Sequence, residues 1–99
     1  MAILHRRFYV HTLVASTLSA PPRGGDLLVV ARDNTEQLDW ELVYQSSDEW
    51  PLKQDSYDLA MDGPEGSFFG PAVLVRTDGR THVFRGSGKL EGLSSIAFD

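Results

Sequence analysis

Pro71-Ala72-Val73-Leu74-Val75-Arg76-Thr77, Asp78-Gly79, Arg80-Thr81-His82-Val83-Phe84-Arg85-Gly86: the reading of this stretch decides the fold. Two β-prone runs flank an Asp-Gly pair. Both central residues of a type I′ turn need φ > 0, and Asp and Gly tolerate it, so the pair predicts a two-residue hairpin loop. That loop sets a register. Thr77 faces Arg80, Val75 faces His82 and Val73 faces Phe84, with Leu74 opposite Val83 on the other side. Val73 and Phe84 are then expected to be buried cross-strand partners.

Working outward, Phe68-Phe69-Gly70 leads into the hairpin, and Gly70 marks a bulge or a close backbone approach. Gly86, Gly88 and Gly92 space the return to a last strand, Leu93 to Phe98. Upstream, Asp62-Gly63-Pro64-Glu65-Gly66 reads as a loop. Ser56 to Met61 reads as a strand with Tyr57, Leu59 and Met61 on one side. Ser46 to Asp55 is polar and reads as a loop, with a short helical turn capped by Ser47 and limited by Pro51.

Leu38 to Gln45 alternates most cleanly. Leu38, Trp40, Leu42 and Tyr44 share one face, and Asp39, Glu41 and Gln45 share the other with Val43. One buried and one wet face is the pattern of an antiparallel sheet, and the period of two excludes a helix. Asp33 to Gln37 reads as a hairpin loop, with Asn34 the residue best suited to φ > 0. In Asp26 to Arg32, Leu27, Val29 and Ala31 alternate against Leu28, Val30 and Arg32. Ser19 to Gly25 is a loop. Ile3 to Ser16 is a strand with apolar residues on both faces, so it is central or curls from one side of the core to the other.

The expectation is an all-β fold, about seven antiparallel strands in a sandwich or flattened small barrel. The 99 residues form a single β domain, residues 1–99. The chain has no cysteine, which removes disulfides, thiolate metal sites and cysteine nucleophiles and favours a reducing, cytoplasmic setting. No stretch resembles a membrane span. His5-Arg6-Arg7 before an apolar run outlines a signal peptide, but His11 and Thr12 interrupt that run and it alternates as a strand, so it is read as part of the core.

The net charge of −5 is unevenly spread. Residues 1–32 balance at +3, residues 33–65 at −9 and residues 66–99 at +1. An acidic middle of this kind steers an encounter with a basic partner. No catalytic motif rises above background. His5 and His11 lie roughly 20 Å apart on a straight strand and cannot share a metal. Asp39 and Glu41 lack the apolar pocket that drives a catalytic pair's pKa values apart. Gly86-Ser87-Gly88-Lys89 lacks the rest of a phosphate loop. Arg76, Arg80, Arg85 and Lys89 interleave with Phe84 and His82, but an acidic chain with Phe84 turned to the core does not fit nucleic acid.

The expected function is therefore non-catalytic, without cofactor or metal. It is a small binding or adaptor domain that recognises a protein partner through a strand edge or through its acidic middle. The candidate contact residues are Asp33, Glu36, Asp39, Glu41, Asp48, Glu49 and Trp50. Trp50 either folds back as a lid on the core or serves as an exposed anchor. The alternative is a small β-barrel that binds an apolar ligand at one end, with Trp50, Phe68, Phe69 and His82 at its mouth.

Overall fold

A change of face at His11 explains why both sides of the Ile3–Ser16 run are apolar. The computed structural model describes residues 3–32 and 38–92. In it the run is two strands, β1 (Ile3–Val10) and β2 (Thr12–Ala15). Phe8 and Val10 enter the core from β1, and beyond the bend Leu13 and Ala15 enter it from β2. A one-residue break in a period-two pattern exchanges the inward and outward sets in just this way.

Six more strands follow: β3 (Leu18–Ser19), β4 (Arg23–Arg32), β5 (Leu38–Ser46), β6 (Ser56–Gly63), β7 (Gly66–Thr77) and β8 (Thr81–Gly86). All eight are antiparallel in one sheet, in the order β1-β4-β5-β8-β7-β6-β2-β3, and no helix occurs among the described residues. Six of the seven expected strands fall among the described residues; the first of them is two strands and the Leu18–Ser19 pair adds another, which makes eight. The expected strand Leu93–Phe98 and the expected loop around Asn34 lie outside the described residues.

The two halves of one bent segment therefore sit near opposite ends of the strand order. The sheet curls to allow this. His11 N donates to Asp62 O at 2.7 Å, and a Cβ on Gly63 would meet the Tyr9 carbonyl oxygen at 1.9 Å. No ladder joins β1 to β6 among the described residues, so the sheet is not closed into a barrel. The inner face is apolar except for the buried Ser46 and His82 at one end, with Phe8 against Phe68 at 4.9 Å between ring centroids.

The hairpin register differs from the expected one. Asp78 is the first residue of the turn, not a central one. Its N–H donates to Thr81 O at 3.2 Å, and its Oδ1 accepts from Arg80 N at 3.0 Å and Thr81 N at 2.8 Å. A carboxylate that binds backbone donors two and three residues on moves the turn to Gly79-Arg80, with Gly79 at φ +99°. Thr77 then pairs with His82 and Arg76 with Val83. A bulge at Val75 resets the ladder, so that Leu74, not Val73, faces Phe84. Leu74 and Phe84 are buried, while Val73 and the 40% exposed Val75 lie on the outer side.

Gly70 marks a close approach, and the bulge is elsewhere. The Trp40 indole lies across the backbone of Gly70 and Gly86, where an added Cβ would meet it at 2.8 and 2.3 Å. Its Nε1 donates to Gly88 O at 2.9 Å. Pro64-Glu65 makes a tight β6–β7 turn with Gly63 opposite Gly66, in place of the longer loop expected there. The helical turn expected after Ser46 does not form. The backbone donors of that segment go to residues flanking neighbouring strands instead: Ser47 N to Pro22 O, just before β4, and Trp50 N to Gly79 O, in the β7–β8 turn, both at 2.8 Å.

Candidate functional site

The strand alternation that buries Leu27, Val29, Trp40, Leu42 and Phe84 turns Leu28, Val30, Asp39, Glu41 and Arg85 outward. The ladders bring these side chains together. Val30 lies opposite Asp39, Leu28 opposite Glu41, and Glu41 opposite Arg85. Here β4, β5 and β8 form an open groove of about 410 Å³, bounded also by Trp40 and Gly86. Its floor is aliphatic and its sides carry two carboxylates and one guanidinium. Leu28 is 40% exposed, and with the partly buried Val30 it gives the groove an aliphatic surface.

A second, smaller groove of about 220 Å³ lies on the same face, between Tyr9, Arg23, Asp26 and Gln45. It is shallower in chemistry as well. Tyr9 OH is already held by Arg23 O at 3.2 Å, and Arg7 approaches Asp26 at 4.0 Å.

The acidic middle is not one surface. In the sheet, β5 and β6 are separated by β8 and β7. Asp39 and Glu41 stand in the larger groove, whereas Asp58, Asp62 and Glu65 are on or beside β6 and have local partners. Asp58 is tied to Ser16 through its backbone, its N–H donating to Ser16 Oγ at 3.2 Å and its carbonyl accepting from Ser16 N at 2.7 Å, while the Asp62 carboxylate accepts from the hydroxyls of Ser67 and Thr12 and Glu65 pairs with Arg6 at 3.3 Å. Asp48 and Glu49 lie at the far end, beside the β7–β8 turn. Asp33 and Glu36 lie outside the described residues.

Trp50 is 7% exposed and belongs to the core, so the exposed-anchor reading does not hold for this conformation. Its ring stands edge-on to His82 at 5.3 Å and to Tyr44 at 6.4 Å. The four residues proposed for a ligand mouth are not gathered around an opening. Trp50 and His82 pack on each other, Phe68 packs on Phe8, and Phe69, next along β7, is 48% exposed on the outer face. Consecutive strand residues point to opposite faces, so Phe68 and Phe69 cannot both line one interior.

His82 is fully buried and both ring nitrogens are engaged. Nε2 lies 3.1 Å from Ser46 Oγ and Nδ1 lies 2.9 Å from Thr77 Oγ1. Burial pushes its pKa below the usual histidine value, and the nearby Asp78 carboxylate opposes this only in part. Among the described residues no group of three or more His, Asp or Glu is placed to hold a metal ion. No helix among them is long and apolar enough to cross a membrane.

Leu28 and Val30 were not singled out as site residues by sequence reading, and Arg85 entered it only within the basic cluster weighed against nucleic acid. One signal was present: Leu27-Leu28-Val29-Val30 is apolar on both faces, more than a strand with one wet side requires. No protein-family model matches the chain, and comparisons with curated proteins and with solved structures find no match.

Proposed function

We propose that this domain is a non-catalytic binding module that docks a segment of a protein partner in the groove between β4, β5 and β8. The segment would place an apolar side chain on Leu28 and Val30 and a basic side chain beside Asp39 and Glu41. The observation that carries this reading is the groove itself: the partly exposed aliphatic side chains of Leu28 and Val30 with Asp39, Glu41 and Arg85 beside them. An apolar contact in the centre with charges at the margin is the usual anatomy of a protein–protein contact. The groove's carboxylates would speed association more than they tighten the complex.

Two further points support a binding rather than a catalytic role. The buried His82 is sealed on both nitrogens and has no opening to substrate. The outer groove is open to solvent and does not enclose a reaction chamber.

Immobilised protein and lysate of the native host provide the test. Wild type and Leu18→Glu, a change at the exposed β3 edge, should capture the same partner. Leu28→Glu and Glu41→Arg should lose it while keeping the far-UV circular dichroism of the wild type. Retention of that partner by both groove variants would remove the groove from the account. With the partner purified, raising salt from about 0.05 to about 0.5 M shortens the Debye length from about 14 to about 4 Å, and the on-rate should fall more than the off-rate rises.

A further inference from the structure

The segment after β5 runs across the end of the sheet farthest from the groove. From Glu41 to Ser46 along β5 is roughly 17 Å. Residues 47–52 form a strap over this end, and its apolar side chains, Trp50 and Leu52, are buried beneath it. The strap has little regular structure to hold it. Ser47 N donates to Pro22 O, Trp50 N to Gly79 O, and Leu52 N turns back to Trp50 O. What fixes its path from below is a chain of side chains centred on His82.

The direction of each bond in that chain follows from what each atom can do. Asp48 O is a carbonyl and can only accept, so Ser46 Oγ–H donates to it at 2.7 Å. Ser46 Oγ then accepts from His82 Nε2–H at 3.1 Å. On the other side Gly79 N–H donates to Thr77 Oγ1 at 3.0 Å, and the Thr77 hydroxyl donates to His82 Nδ1 at 2.9 Å. Every donor meets an acceptor when His82 is neutral and protonated on Nε2. A second proton on Nδ1 would force the Thr77 hydroxyl to give up its donation to the ring, and a charge would sit in a buried site against Trp50.

We propose that residues 47–52 are a proton-operated strap, held closed by neutral His82 and released when His82 takes up a second proton, which exposes Trp50. The groups that face this site are consistent with release in acid. From the β7–β8 turn come Asp78 and Arg80. From the strap come Asp48 and Glu49, with the Glu49 carboxylate close against Gly79. From β5 comes Tyr44, whose hydroxyl donates to Pro21 O at 2.8 Å, and from β4 comes Arg23, opposite Ser46. Three carboxylates beside the turn would stabilise an imidazolium that has moved out to them. In the closed state Asp78 offsets the burial of the ring only in part, and both ring nitrogens are held by Ser46 and Thr77 and not by a carboxylate. Opening would present an apolar side chain next to Asp48 and Glu49, a contact surface that the closed form lacks.

Amide hydrogen exchange of the full chain, read residue by residue by NMR at pH 7 and pH 5 as protection factors, tests this. The Ser47 and Trp50 amides should lose at least tenfold in protection, while amides in the β4–β5 ladder should be unchanged. The loss should follow the titration of the His82 ring measured in the same samples. In His82→Gln, which donates and accepts but does not charge, the loss should vanish. Unchanged Ser47 and Trp50 protection at a pH where His82 is protonated would overturn the proposal. So would loss of protection by strap and sheet together, or a loss that persists in His82→Gln. If that variant does not fold, the wild-type comparison of ring titration with strap protection decides alone.

Discussion

Gly86→Ala should destabilise the domain through Trp40, and the structure sets the scale. A Cβ at position 86 would sit 2.3 Å from Nε1 and Cε2 of the indole and 2.6 Å from Cδ1. Ordinary contact distances are about 3.5–4.0 Å, so the ring must retreat by more than about 1 Å. It has no easy direction. Nε1 is tied to Gly88 O, and the other end of the ring already lies against Gly70. Overpacking of a fixed core group costs typically about 1–3 kcal/mol. A domain of this size has on the order of 5–15 kcal/mol in total, so the loss is measurable without abolishing the fold. Urea denaturation followed by far-UV circular dichroism should show a midpoint lowered by about 1 M, for an m-value of about 1–3 kcal/mol/M. The same change in a Trp40→Leu background should cost less, with a coupling of at least about 1 kcal/mol in the double-mutant cycle. A cost below about 0.5 kcal/mol, or one that is the same with and without Trp40, would refute the packing described.

Other outcomes follow from the same structure. Leu74→Ala should cost about 2–5 kcal/mol and Val73→Ala less than about 1, because Leu74 faces Phe84 in the core and Val73 lies on the outer side; denaturation midpoints in the reverse order would restore the simpler hairpin register. Trp50→Ala should cost about 3–5 kcal/mol at neutral pH, as for a core aromatic, and near-neutrality would put the ring outside the core. A histidine pKa lowered on folding means that the unfolded chain binds the proton first, so the His82 contribution is complete above about pH 6.5 and is lost as pH falls from there toward the folded pKa; stability that rises on acidification through this range would contradict it. The Asp78 carboxylate is held below its usual value by the Thr81 and Arg80 amides, so its contribution is present above about pH 3.8 and disappears below, and Asp78→Ala should flatten that lower step alone. Burial, with Tyr9 nearby, pushes the Tyr44 hydroxyl above 10.0, so a loss of stability should begin above that pH and be absent in Tyr44→Phe.

The strands were legible where alternation was strict. Asp39–Tyr44 and Leu59–Met61 carry one buried and one wetter face, and both are placed as read. The hairpin was legible as a hairpin but not in register, because two local effects displaced it. The Asp78 carboxylate competes for the turn's own amides, and Val75 absorbs one residue as a bulge. Neither leaves a mark in a hydrophobic pattern. The double-faced run at Ile3–Ser16 signalled a curl, but not that its halves lie near opposite ends of the sheet, which depends on long-range pairing. Trp50 was ambiguous for a related reason. A polar segment gives no clue that its one large ring turns inward, and it does so here because His82, Ser46 and Thr77 build a floor for it. The groove was least legible of all. Leu28, Val30, Asp39, Glu41 and Arg85 come from three strands, and only the ladders bring them together.

The docking groove is tested most directly by a photo-crosslinking amino acid placed at Leu28 and, separately, at Leu18, in cells of the native host. Both sites are exposed to a similar degree, at 40% and 48%, so simple accessibility favours neither. A defined crosslinked partner at position 28 that is absent at position 18 is the result expected. Crosslinks at position 18 without any at position 28 would move the partner to the β3 edge and contradict the groove.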